Sequence, residues 1–133
     1  TLALLDKADI PTGEFKPDTR FVGGRLIKDE FINDCFCLSQ GEDPFVLKNK
    51  KNFENILAIT KLQSDTKKLL IWQKAGHEQY NAIQIYTPPD RMSIAIEPMT
   101  AEPDTLNHHR DLIVIKPDET KTFSFGATVE KIG

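Results

Sequence analysis

Met92-Ser93-Ile94-Ala95-Ile96-Glu97 decides the reading of this chain, because its apolar residues fall on every second position. Successive side chains of a strand point to opposite sides, so Met92, Ile94 and Ile96 make one face and Ser93, Ala95 and Glu97 the other. The same alternation runs through Thr122-Phe123-Ser124-Phe125-Gly126-Ala127-Thr128-Val129, where Phe123, Phe125, Ala127 and Val129 share a side. Further strands are expected at Cys35 to Leu38, Phe53 to Leu62, Lys68 to Lys74, Ala82 to Tyr86 and Leu112 to Lys116. Turn chemistry separates them: Pro11-Thr12-Gly13, Gly23-Gly24, Gly41-Glu42-Asp43-Pro44, Ser64-Asp65, Pro88-Pro89-Asp90, Glu102-Pro103-Asp104 and Pro117-Asp118. Only Arg25 to Ile32, with Leu26, Ile27, Phe31 and Ile32 clustered, reads as a helical turn. The fold class is therefore mainly β with antiparallel strands, in one domain without repeats or a dividing linker.

At 133 residues the chain has the length of one ordinary domain. Its 17 Lys and Arg against 20 Asp and Glu leave a net charge of −3, with no surplus cation to neutralise phosphates or anionic lipid. Nucleic acid and membrane surface are poor partners on that ground. The longest apolar runs, such as Leu112-Ile113-Val114-Ile115, fall far short of the roughly 20 residues that span a bilayer as a helix. Cys35 and Cys37 are too close for an ordinary disulfide and supply only half of a structural zinc set, so they are expected to be reduced core thiols in a cytoplasmic compartment. Thr1-Leu2-Ala3-Leu4-Leu5-Asp6 has no basic region or cleavage site of a secretory signal, and it lacks an initiator Met. The chain is thus open to being an internal piece of something longer.

Glu97 is the first candidate for chemistry. It closes an alternating strand on the face shared with Ser93 and Ala95, whose small side chains leave room beside a carboxylate for a ligand. Pro98 follows, has no N–H for a ladder, and is expected to end regular pairing so that Glu97 opens into a loop. The plainer alternative is a solvated carboxylate at a strand end. Asp34 is the second candidate, an acidic residue entering the apolar stretch Cys35-Phe36-Cys37-Leu38. A buried carboxylate needs partners, and either a pair of sugar hydroxyls or a structural N–H donor would serve. His77, His108 and His109 have the ring chemistry for proton transfer but no supporting motif, and they read as polar-loop residues. No metal-ligand spacing is apparent. Trp72 and Tyr86 are core aromatics by position, with sugar stacking as the functional alternative.

A long ordered string carries a family resemblance. Ile94-Ala95-Ile96-Glu97-Pro98-Met99-Thr100, then Pro103-Asp104-Thr105-Leu106-Asn107, then Asp111-Leu112-Ile113-Val114-Ile115-Lys116-Pro117-Asp118-Glu119-Thr120 resembles the C-terminal signature of the aldose 1-epimerases, the galactose mutarotases. Ile10-Pro11-Thr12-Gly13-Glu14 resembles the family's loop before its middle strands, and Asn33-Asp34-Cys35-Phe36 its sugar-binding strand. Gln84-Ile85-Tyr86-Thr87 looks like the strand preceding the catalytic carboxylate.

The resemblance implies a β-supersandwich and an isomerase that interconverts the α and β anomers of a free aldose. In such enzymes a glutamate takes the anomeric proton while a histidine protonates the ring oxygen, and no metal or organic cofactor is required. Glu97 matches that base and Asp34 the aspartate that holds sugar hydroxyls. The family's acid histidine, a second histidine and an arginine lie in an N-terminal half upstream of Thr1. Residues 1–133 then correspond to the C-terminal part of one mutarotase-like domain, inactive alone. Their expected partners are the aldose and either the missing half or a second copy. Two other readings are a non-catalytic carbohydrate-binding sandwich and an unrelated structural β-sandwich that interacts through its edges.

Overall fold

The computed structural model of the chain describes residues 2–38, 46–47, 56–76 and 78–133. In chain order the elements among them are β1 (Leu2–Leu5), β2 (Pro11–Lys16), β3 (Asn33–Cys37), β4 (Val46–Leu47), β5 (Ile56–Gln63), β6 (Lys67–Ala75), β7 (Ala82–Tyr86), β8 (Ala95–Met99), the single helical turn α1 (Thr105–His108) and β9 (Phe125–Lys131). They form two antiparallel sheets, β2-β1-β3-β7-β8 and β4-β5-β6-β9. Among the described residues the protein is mainly β with almost no helix, as the alternation of the sequence predicts.

β7 falls on the expected residues, β6 overlaps its run closely, and β9 begins only at Phe125, leaving Thr122 to Ser124 outside the strand. β5 takes up the latter part of the Phe53 to Leu62 run, whose residues 53–55 lie outside the described residues. Several expectations are corrected. Pro11-Thr12-Gly13 begins β2 and is not a turn, because β2 is an outer strand whose first residue loses nothing by lacking an N–H. Arg25 to Ile32 is irregular chain and turns rather than helix. Leu26 and Phe31 are 75% and 60% exposed, so no buried apolar stripe holds a helix there. Leu112 to Lys116 has no ladder partner among the described residues despite its β-branched composition, and Val114 and Ile115 stay exposed. β8 starts at Ala95, leaving Met92 outside the strand and exposed.

The first sheet buries an unusual floor. Ala3, Cys35, Cys37 and Ala82 pack together on one face, flanked by Phe15 and Met99. Small side chains bury little apolar area each, so this core depends on close approach of the cover above it rather than on bulk. That cover is the segment after β8, a strap from Thr100 through α1 to Asp111. Glu102 lies beneath it, its Oε2 accepting from the Cys37 thiol at 3.7 Å. Arg110 reaches β2, its guanidinium 4.4 Å from the Phe15 ring centroid and donating to the Gly13 carbonyl at 3.3 Å.

The opposite face of this sheet is covered by residues 17–32. Phe21 meets Phe36 edge-on, and the Thr87 hydroxyl accepts the Ile32 N–H at 2.8 Å. The second sheet joins the first at one corner. Gln73, almost fully buried, donates its amide to the Ala82 carbonyl at 3.0 Å, while Leu38 packs on Ala58 and Ala75. Within that sheet Trp72 lies against Gly126, where a Cβ would come within 2.6 Å of the indole. Both faces of the second sheet carry exposed apolar side chains: Leu57 and Ile59 on one, Phe125 and Val129 on the other.

Candidate functional site

Cross-strand register decides which polar groups share a face, since directly paired residues of an antiparallel ladder point the same way. Cys35 pairs with Gln84, and Gln84 with Glu97. One step along, Asn33 pairs with Tyr86, and Tyr86 with Ala95. Asn33, Gln84 and Glu97 therefore stand on the same side of the sheet, with Ala95 as the small neighbour. Gln84 Nε2 donates to Asn33 Oδ1 at 2.9 Å, which leaves the Asn33 amide N–H2 group for another acceptor. Glu97 is exposed and Gln84 and Asn33 are half-buried, so a carboxylate and two amides line an accessible surface. Such a set offers acceptors and donors together, the requirement for gripping a polyhydroxylated ligand.

Glu97 is not at the strand end. Pro98 and Met99 continue β8, paired with Ile83 and Ala82. The proline does not stop the ladder because β8 is the outermost strand of its sheet, the position in which a missing N–H is tolerated.

Asp34 lies elsewhere. It pairs with Ile85, which pairs with Ile96, so it occupies the face opposite Glu97. The two residues do not converge on one pocket. Of the partners that the sequence left open, Asp34 has the structural donor: Arg20 Nη2 reaches its Oδ2 at 2.7 Å. The same guanidinium binds Asp18 through Nε at 2.7 Å, lies 3.7 Å from Glu30, and sits over the Phe21 and Phe36 rings. Hydrogen bonding to Asp18 holds Arg20 charged well above its ordinary range against the opposing effect of burial, and Asp34 adds to it. For Asp18, burial would raise the carboxyl, but the side-chain and backbone hydrogen bonds from Arg20 outweigh it and hold the group below its ordinary 3.8.

The histidines divide three ways. His77 lies outside the described residues. His109 is exposed and caps α1 with a left-handed backbone, φ 58°. His108 belongs to the strap: its Nδ1 accepts the Arg110 N–H at 3.1 Å, and its Nε2 lies 3.2 Å from the Pro103 carbonyl and 3.4 Å from Glu102. Cys35 and Cys37 are buried thiols outside any disulfide, as expected. The hydrogen bond to Cys35 and then burial push the Cys37 thiol far up, with the Glu102 carboxylate adding, so it stays protonated and acts as a donor. Among the described residues no group of three His, Cys, Asp or Glu is placed to hold a metal, and no helix is long and apolar enough to cross a membrane. An open depression of about 440 Å³ is lined by Glu78, Val114, Lys116, Asp118, Glu119 and Lys121, and two of its carboxylates, Glu78 and Glu119, are engaged with Lys121 and the Lys116 N–H.

Asn33 and Gln84 are the residues that sequence reasoning passed over. The signal was present: alternation from Cys35 places Asn33, not Asp34, on the Cys35 side, and only the pairing with β7 and β8 shows that this is also Glu97's side. No family model matches the chain, and neither a curated protein nor a solved structure matches it.

Proposed function

We propose that the chain is part of a mutarotase-like isomerase in which Glu97 takes the proton from the anomeric hydroxyl of a free aldose. One observation carries this reading: an exposed carboxylate in the same cross-strand row as Gln84, whose amide is oriented by Asn33. The string around Glu97 resembling the mutarotase signature supplies the reaction class. A carboxylate is a suitable base here because removing the hydroxyl proton while the ring oxygen is protonated avoids a charged open intermediate.

In this reading Asn33 and Gln84 grip ring hydroxyls beside the base, while Asp34 anchors Arg20 behind the sheet. His108 is held in the strap by the Arg110 N–H and Glu102, and neither it nor His109 is assigned the role of the acid. The exposed apolar faces of the second sheet are then expected to be covered by further strands of a β-supersandwich. The ligand is a neutral sugar, in keeping with the net charge of −3.

Polarimetry on the full-length gene product, following freshly dissolved α-glucose and α-galactose, is the test. Glu97→Gln is expected to lower the rate at least ~100-fold, the usual contribution of a positioned base, with folding unchanged. Normal rates in that variant would refute the base assignment. Sugar binding without any turnover in the wild type would make the protein a carbohydrate-binding module instead.

A further inference from the structure

The strap carries an ion pair whose carboxylate is almost fully buried while its guanidinium is 27% exposed. The Glu102 side chain is 3% exposed, and its Oε1 lies 2.9 Å from Arg110 Nε and 3.4 Å from His108 Nε2. The Arg110 pairing is out of line: neither Glu102 Oε1 nor Arg110 Nε has a hydrogen-bond partner of good geometry. A secluded ion pair is a weak source of stability, because taking two charges out of water offsets most of their attraction. Its best attested use is to fix register.

β8 is a strand that needs register fixed. Among the described residues it has one neighbour, β7, and it contains a proline. Apolar groups stand on both of its faces, Ile96 and Pro98 on one and Ala95 and Met99 on the other, so alternation alone specifies the pairing poorly. A slip of one residue would carry Glu97 to the face of Ile85 and Asp34. The strap begins immediately after Met99 and is tied at two points to the far strands. Glu102 meets the Cys37 thiol on β3, and Arg110 meets Gly13 and Phe15 on β2.

We propose that the Glu102–Arg110 pair is a register lock, anchoring the strap across the sheet so that Glu97 stays opposite Gln84. Glu102 and Arg110 are positioning residues in this role, which holds whatever chemistry Glu97 performs. The charge-free double variant Glu102→Leu/Arg110→Met removes both ions together and orphans neither. NMR of this variant is expected to show weakened Gln84–Glu97 cross-strand contacts and new ones from Gln84 to Ile96 or Pro98. Amide exchange in β7 and β8 should rise at least ~10-fold, while the Ile59–Trp72 pairing of the second sheet is kept.

Unchanged Gln84–Glu97 contacts, or a uniform loss of protection across both sheets, would overturn the proposal. If the double variant does not fold, Glu102→Gln is read by the same contacts and the same two outcomes apply. Failure of both variants to fold also overturns it, since the pair would then determine the fold and not its register.

Discussion

Asp34 and Glu97 belong to one sheet and face away from each other, separated by the β7 pairing of Gln84 and Ile85. The sheet itself therefore stands between the two carboxylates, which assigns them separate tasks. Asp34 holds the 17–32 loop through Arg20, and Glu97 is left to the accessible side.

Asp34→Asn is accordingly expected to cost about 1 kcal/mol of stability, the value of a part-buried charge-assisted contact discounted for solvent. Urea unfolding checks it. An unchanged midpoint, with a loss of sugar affinity instead, would return Asp34 to the ligand.

Acid should release the same loop. The Asp18 carboxyl lies below 3.8 in the fold and near that value when unfolded, so its contribution is complete at neutral pH and is lost as pH falls through the lower, folded value. Phe21 and Phe36 contacts followed by NMR between pH 6 and 2 should weaken only below about pH 4. Loosening already at pH 6 would point to a different group.

Thr87→Val tests the other tie of this loop. Thr87 is 2% exposed and its hydroxyl accepts the buried Ile32 N–H, so the isosteric valine leaves that donor without a partner. The expected loss is about 1–3 kcal/mol. Thr87→Ser keeps the oxygen and should retain most of the stability; equal losses in both variants would assign the effect to packing.

Gly126→Ala places a methyl carbon 2.6 Å from the Trp72 indole, so the ring or the strand must shift. A destabilisation of about 1–3 kcal/mol with altered Trp fluorescence is expected, the magnitude of an overpacked contact. A neutral outcome would mean that the ring rotates freely away.

The parts of this fold that were legible in the sequence are those where periodicity reports burial directly. Ala82 to Tyr86 and Lys68 to Lys74 lie in the middle of their sheets, with neighbours on both sides to enforce the pattern. β2 was hidden because its Pro11 and Gly13 are turn residues by chemistry, and only an outer strand accepts them. Leu26, Ile27, Phe31 and Ile32 suggested a helix by spacing, yet only Ile32 is fully buried, and it is held by Thr87, 55 residues distant. No local pattern contains that contact. The candidate site was half legible for the same reason. Glu97 stands out as an acidic residue in an alternating strand, whereas Asn33 and Gln84 acquire meaning only through the pairing of three strands remote in sequence.

The strap has one more consequence. Cys35 and Cys37, the only cysteines of the chain, lie in the floor beneath it at 1% and 4% exposure. Alkylating or oxidising reagents in solvent reach these sulfurs only when the cover lifts, so the protein contains its own clock for that opening. The rate of its chemical labelling measures how often the molecule breathes.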